Sequence, residues 1–227
     1  MQPDISMFSA EDAFNISLQR TSHIRIPLTF KLWAMGYPSA LRFEATLRRR
    51  AIICGAIDDA NREFENIKEY LGQRTIKKIV DIGCGHALID LLFWQTFKCD
   101  IHLVDIESTK THHHGFKNSG SGYASLVSAR EYLIKNGVPE EKIRITNPNK
   151  STLMDKNCDL IFSLLSCGFH YPASTYLNFI KTALKPNGVF LFDLRKKSNQ
   201  EYFLDAFARS DILNETNKSM RIAAIKK

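Results

Sequence analysis

The run Ile79-Val80-Asp81-Ile82-Gly83-Cys84-Gly85-His86-Ala87 constrains this chain more than any other stretch, because it reads as a buried strand that breaks into a glycine turn and opens a helix. Two glycines with one residue between them let the backbone turn tightly and come close to a ligand, and the helix expected over residues 86–97 aims free N–H groups at the same place. Asp81 stands just before the first glycine, and a second strand, expected over residues 101–105, ends in Asp105. A nucleotide-like cofactor is the first expectation.

The two carboxylates help to choose that cofactor. A dinucleotide fingerprint wants its third glycine where this chain has Leu88, and Asp81 would set negative charge beside a pyrophosphate. S-adenosylmethionine reverses the preference, since it has no phosphates, carries an ammonium and a sulfonium, and offers ribose hydroxyls that a strand-end carboxylate such as Asp105 can accept. The segment Val80 to Ala87 resembles the first motif of the class I S-adenosylmethionine-dependent methyltransferases, with Ala87 where that family has a third glycine. The resemblance implies a Rossmann-like, seven-stranded, mostly parallel sheet with an antiparallel C-terminal strand. It implies further that Asp81, Gly83 and Gly85 hold the methionine end of the cofactor, Asp105 the ribose, and Ile106 the adenine. Asn147, just past the third strand, falls near a polar contact to the adenine amino group, although the family more often has an acid there. Ser163, on the fourth strand, is placed with the same set.

Along the chain, residues 1–75 read as an N-terminal helical extension or lid and residues 76–227 as the α/β domain. Ser9 with Asp12 is a helix cap, and Pro38-Ser39 starts a longer helix that Gly72 ends. Within it Ile53, Ile57, Ala60, Phe64, Ile67 and Leu71 form one apolar stripe. The aromatic and basic stretch from Ile24 to Tyr37 either covers a substrate cleft or packs as a connector. Strands are expected at 78–82, 101–105, 143–146, 160–165 and 188–193, helices at 86–97, 123–135, 173–184 and 200–209, and a terminal hairpin from 212–216 and 220–225.

Composition sets the outer limits. The formal charge of +7 is spread over Arg48-Arg49-Arg50, Lys77-Lys78, Arg195-Lys196-Lys197 and Lys226-Lys227, which reads either as solvated surface or as a groove for an anionic substrate. Five cysteines without a Cys-x-x-Cys pair suit reduced thiols in a cytoplasmic protein. The N-terminus shows no apolar leader, and the longest apolar run, residues 160–165, is too short to span a bilayer.

Acceptor chemistry belongs where the fourth strand runs into Ser166-Cys167-Gly168-Phe169-His170-Tyr171-Pro172. The Asn/Asp-Pro-Pro-Tyr tetrad of amide and amine methylation is missing, as is the Pro-Cys pair of cytosine-C5 enzymes. His170 can take a hydroxyl proton, worth about 10²–10⁴-fold for a positioned base, or can simply cap the turn before Pro172. The loop Glu107 to Phe116 carries His112-His113-His114, of which His113 is a second candidate base; a metal site is not expected, for want of a second acidic cluster. This loop, the helix after Gly122 and the run to Pro172 are also similar to bacterial sugar O-methyltransferases. The expectation is therefore a methyltransferase acting on a hydroxyl of a sugar or other small polar acceptor, the positive charge suiting a phosphorylated one. The alternatives are an RNA methyltransferase using Arg42, Arg48-Arg49-Arg50, Trp33 and Tyr37, or a non-catalytic cofactor-binding interaction protein.

Overall fold

Alternating apolar residues on short strands, separated by helical segments, build one sheet with both faces buried. The computed structural model describes residues 2–107, 124–198 and 200–227. Its strands are β1 (Lys78–Ile82), β2 (Asp100–Val104), β3 (Ile143–Thr146), β4 (Cys158–Ser163), β5 (Leu184–Arg195), β6 (Arg209–Glu215) and β7 (Ser219–Ile225), in the order β3-β2-β1-β4-β5-β7-β6. β1 to β5 run parallel, and β7 is antiparallel to both β5 and β6. The strand order reverses at β1, between β2 and β4, which opens a crevice beyond the carboxyl ends of those strands.

Period-two alternation divides the interior into two cores. Ile79, Ile101, Leu103, Leu160, Phe162, Val189 and Leu191 face one side. Val80, Ile82, Val104, Ile161, Phe190, Phe192 and Leu194 face the other. The first core is covered by α1 (Ala10–Gln19), α3 (Pro38–Leu47), α4 (Arg49–Leu71), α5 (Leu88–Phe97) and α6 (Leu126–Lys135). The second is covered by α7 (Leu177–Ala183) and by two 3₁₀ segments, Ala173–Tyr176 and Glu201–Ala206.

The N-terminal helices share the first core with the sheet. The stripe Ile53, Ile57, Ala60, Phe64, Ile67 and Leu71 is buried along α4, with Phe64 edge-on to Phe93 of α5 at 5.0 Å between ring centroids. Ser9 and Asp12 form a capping box at the start of α1. A shorter helix, α2 (Pro27–Ala34), is anchored from below by Glu44, whose buried carboxylate accepts the N–H groups of Arg25 at 2.8 Å and Ile26 at 3.3 Å and pairs with Arg48 at 2.6 Å.

Several boundaries differ from the sequence-based expectation, each for a local reason. The helix expected from Pro38 is two helices that meet at Arg48, whose backbone leaves the helical basin (φ −109°, ψ 19°) while its guanidinium reaches the carbonyl of His23. α5 begins at Leu88, not at His86, because Ala87 sits in the left-handed region at φ 55°. The segment expected as one helix over 173–184 divides into a 3₁₀ turn and α7, and β5 starts early, at Leu184, with an irregular register between Cys158 and Leu160 opposite it. The helix expected over 200–209 is a 3₁₀ segment, and β6 takes up Arg209. α6 starts at Leu126, where the Ser125 hydroxyl accepts the Val127 N–H at 3.2 Å; Tyr123, the expected start, lies outside the described residues.

Candidate active site

The carboxyl ends of β1, β2 and β4 open into a cleft of about 950 Å³. Asp81, Gly83, Gly85, Asp105 and Ile106 line one end of it, and Ser166, Phe169, His170, Tyr171 and Tyr176 line the wall that follows β4. Thus the two groups of residues singled out from sequence, from turns some eighty residues apart, meet in one cavity. Phe30 and Trp33 of α2, together with Leu18, Gln19, Arg20 and Thr21 at the end of α1, close it from the N-terminal side.

The glycine turn is held by backbone and carboxylate together. Gly83 and Cys84 both donate to the Val104 carbonyl, at 2.7 and 3.3 Å. Asp105 accepts the Gly85 N–H at 3.0 Å through one oxygen and the Glu107 N–H at 2.8 Å through the other. Burial pushes the Asp105 carboxyl above its ordinary pKa, and those two N–H groups work against that rise. Gly83 has φ 84°, and a methyl group in place of its hydrogen would overlap the Ser166 side chain. Only glycine serves there, because the β4 loop lies directly on the turn. The Gln19 amide lies over Gly85, 3.7 Å from where a side chain would begin.

A second carboxylate stands behind the first. Asp81 and Asp90 are both buried and face each other, Asp90 from the first turn of α5. Neither can lose its proton cheaply: burial raises both, the charge of each neighbour adds to Asp81, and Asp90 is pushed up to about 7. The pair therefore keeps a proton at neutral pH. Asp90 is the one charged residue in the apolar sequence of α5, and that is the signal from which it was readable.

His86, the residue after the turn, lines the cleft and is tied to the N-terminal segment. Its Nε2 lies 3.1 Å from Asp12 Oδ1, and its ring meets Phe8 edge-on at 5.3 Å. Burial works to raise the Asp12 carboxyl, but hydrogen bonds from His86 and Ser9 outweigh it and hold the group down at about 2. An ionised Asp12 accepts a hydrogen bond from Nε2–H, and the buried Nδ1 has no hydrogen-bond partner among the described residues. Asp12 was legible only as a cap; its second role depends on how α1 crosses the turn.

The remaining candidates are placed as follows. Ser163 is buried, donates to the Ile82 carbonyl at 2.6 Å and accepts the Cys167 N–H at 2.9 Å, so its hydroxyl braces the end of β4 and is not among the residues lining the cleft. Asn147 also stands off the lining; its amide donates to the Ile106 carbonyl at 3.2 Å and to Glu107 at 2.8 Å, and Asn149 reaches the wall in its place. His170 lies in the turn closed by a bridge between Cys167 and Tyr171, with its N–H on the Ser166 carbonyl at 2.8 Å and its ring edge-on to Phe169 at 5.0 Å. His113, with the rest of the triple-histidine loop, lies outside the described residues. Glu107, its nearest acidic neighbour in the chain, is engaged by Asn147 and Lys150. Among the described residues no cluster of His, Cys, Asp and Glu is arranged to hold a metal.

The basic run is spent largely on the fold. Arg48 holds Glu44 and the His23 carbonyl, Arg49 donates to the Phe8 carbonyl at 3.1 Å, and Arg42 pairs with Glu11 while lying 4.1 Å over the Phe14 ring. All five cysteines are free thiols. Burial pushes those of Cys99 and Cys158 up to about 12, so both are unreactive. No described helix is long and apolar enough to cross a membrane.

A parallel sheet of this strand order, with an antiparallel penultimate strand and a ligand-sized cleft over its glycine turn, is the class I methyltransferase fold. The comparisons with solved structures show the same fold. The chain is similar to a candidate O-methyltransferase from Nostoc punctiforme, at a TM-score of 0.53 and 15% identity over 82% of this chain and 59% of that one. It is similar to the StiE O-MT segment at 0.54 and 10% identity over 73% of each chain. The PH0226 protein of Pyrococcus horikoshii matches at 0.51 and 14% identity, over 74% of this chain and 91% of that one. This chain thus spans less than two thirds of the Nostoc protein's length. No family model and no curated protein matches the sequence.

Proposed function

We propose that this protein is an S-adenosylmethionine-dependent methyltransferase that methylates a hydroxyl on a sugar or another small polar acceptor. The observation that carries the reading is the single cleft in which the β1 glycine turn and the β2 carboxylate meet the aromatic and histidine wall after β4. Asp105, already fixed by two backbone N–H groups, has the position to accept ribose hydroxyls, and Ile106 beside it offers an apolar edge to adenine. Gly83 and Gly85 let the backbone approach the methionine portion, with Asp81 next to them.

When bound, S-adenosylmethionine supplies an electrophilic methyl on a sulfonium. The residues of this chain then have two tasks. Aromatic side chains at Phe30, Trp33, Phe169 and Tyr176 exclude water and orient the acceptor for in-line displacement. His170 would receive the hydroxyl proton as the acceptor oxygen is turned into a nucleophile.

The test begins with calorimetric titration of S-adenosylmethionine and S-adenosylhomocysteine into cofactor-stripped protein, with Asp105→Ala as control. Micromolar binding weakened at least tenfold by the substitution supports the cofactor assignment, and folded protein that binds neither compound refutes it. Methyl transfer from labelled cofactor is then measured on hydroxyl acceptors with His170→Ala. Tight cofactor binding without transfer to any acceptor would favour a non-catalytic binding protein.

A further inference from the structure

We propose that the acceptor half of the cleft is an oxyanion subsite in which Arg195, aided by Lys218, holds a carboxylate or phosphate carried by the acceptor. The proposal deepens the methyl-transfer reading and rests on it. It starts from the charges that line the cleft, namely three cations, Arg20, Arg195 and Lys218, and three acids, Glu63, Asp81 and Asp105.

Most of these charges are already committed. Arg20 is paired with Asp59 at 3.4 Å and Glu63 at 3.1 Å. Asp105 is bound to the glycine turn, and Asp81 faces Asp90. Acids near Arg195 along the sheet are taken as well: Asp193 receives Arg221 through two bonds of 2.9 Å, and Glu215 receives Lys196 at 2.5 Å. Arg195 and Lys218 therefore have no carboxylate partner among the described residues. A cleft that also admits a sulfonium gains nothing from two uncompensated cations, unless the second ligand brings negative charge.

Arg195 is built for the task. It ends β5 half-buried, its Nε donates to the Phe169 carbonyl at 2.7 Å, and its guanidinium lies 4.4 Å over the Phe169 ring. One N–H and one face of the guanidinium thus fix its position, which leaves the two terminal nitrogens as a planar fork suited to a carboxylate or phosphate. Lys218 comes alongside through the β6–β7 turn, because Arg195 pairs with Ser219 across the strands and Lys196 N–H bonds the Lys218 carbonyl at 2.9 Å. Phe169 is the neighbour of His170, so an oxyanion gripped by Arg195 sets a hydroxyl a few bonds away within reach of the proposed base. A purely structural Arg195, clamping the Phe169 turn, would use the same Nε bond and leave ligand charge irrelevant.

The experiment uses full-length protein saturated with S-adenosylhomocysteine and ligand-observed NMR titrations of matched probes: glucose 6-phosphate and glucuronate against glucose, and phenyl phosphate against phenol. At least one anionic probe is expected to bind at least tenfold more tightly than its neutral counterpart, with the preference shrinking in high salt. Arg195→Gln and, separately, the exposed Lys218→Gln should each reduce that preference, while Arg195→Lys keeps part of it and none of them alters S-adenosylhomocysteine affinity. Because Lys218 is exposed, its variant reports even if Arg195→Gln fails to fold. Equal binding of charged and neutral probes, no binding of the anions, or a preference unchanged in both Gln variants overturns the proposal. If S-adenosylhomocysteine itself does not bind folded protein, the methyl-transfer reading has failed, and the proposal falls with it.

Discussion

Replacing Asp90 by asparagine should make the protein more stable, and increasingly so as pH rises. Asp90 is fully buried opposite Asp81, and burial lifts its pKa from 3.8 to about 7. Between those values the native state holds a proton that the unfolded chain has released, so this group lowers stability as pH climbs from about 4 to 7, and the loss stays constant above that. Each pKa unit corresponds to about 1.4 kcal/mol, giving about 4 kcal/mol over the whole window. Asparagine keeps the shape of the protonated carboxyl and can donate to Asp81, yet has no proton to lose. Its advantage over the parent should therefore grow by about 3 kcal/mol between pH 5 and pH 8, nearly all of it before pH 7. Urea unfolding of cofactor-free protein at pH 5, 6, 7 and 8 measures this directly, and the difference between the two proteins cancels the titration of groups they share. Parallel pH profiles for parent and variant would show that Asp90 is ionised or solvated in the native state, and would refute the buried-pair argument.

Other outcomes follow from the same packing. Gly83→Ala should cost at least about 2 kcal/mol, from the left-handed backbone and the overlap with Ser166. Adding Ser166→Gly should recover part of that loss in urea melts, and no recovery would mean that the β4 loop does not rest on the turn. Asp12→Ala should cost about 2 kcal/mol at neutral pH by removing the cap and the His86 partner. Because the Asp12 pKa is depressed to about 2, this benefit is present above pH 3.8 and is lost as pH falls toward 2; a deficit that grows on acidification would contradict it. Binding of S-adenosylhomocysteine at pH 7 should release a fraction of a proton as its ammonium draws the Asp81–Asp90 pair toward ionisation. Calorimetry in phosphate and in Tris should then give different heats, and identical heats would separate the ammonium from Asp81.

What the sequence made legible was whatever depends on local pattern. The five parallel strands were readable because buried β-branched runs alternate with helical periodicity, and the glycine turn because few other residues allow that backbone. Two boundaries shifted for reasons that no periodicity shows: Arg48 leaves the helical basin with its guanidinium on the His23 carbonyl, and Ala87 takes a left-handed conformation before α5. Asn147 and Ser163 show the same limit for the site. Both sit at strand ends, as ligand contacts should, but their polar atoms are used by Glu107, Ile82 and Cys167, and one sequence does not reveal which neighbour claims a side chain.

The N-terminal residues carry the least readable part of the cleft, since their helices have no motif and gain meaning only from where they dock. α4 supplies the stripe that covers the sheet, α1 lays Gln19 over Gly85 and Asp12 against His86, and Glu44 props α2 so that Phe30 and Trp33 face the cavity. The Gln19 and Asp12 contacts reach the glycine turn, and Phe30 and Trp33 line the cavity above it, so residues 1–75 supply part of the cavity lining as well as part of the core. A ligand that touches Gln19 and His86 must then stabilise α1 against the sheet, and loosening α1 must weaken the ligand by the same free energy. This coupling would make Asp12, four residues before the first α1 side chain that lines the cleft, a residue on which the affinity of such a ligand depends.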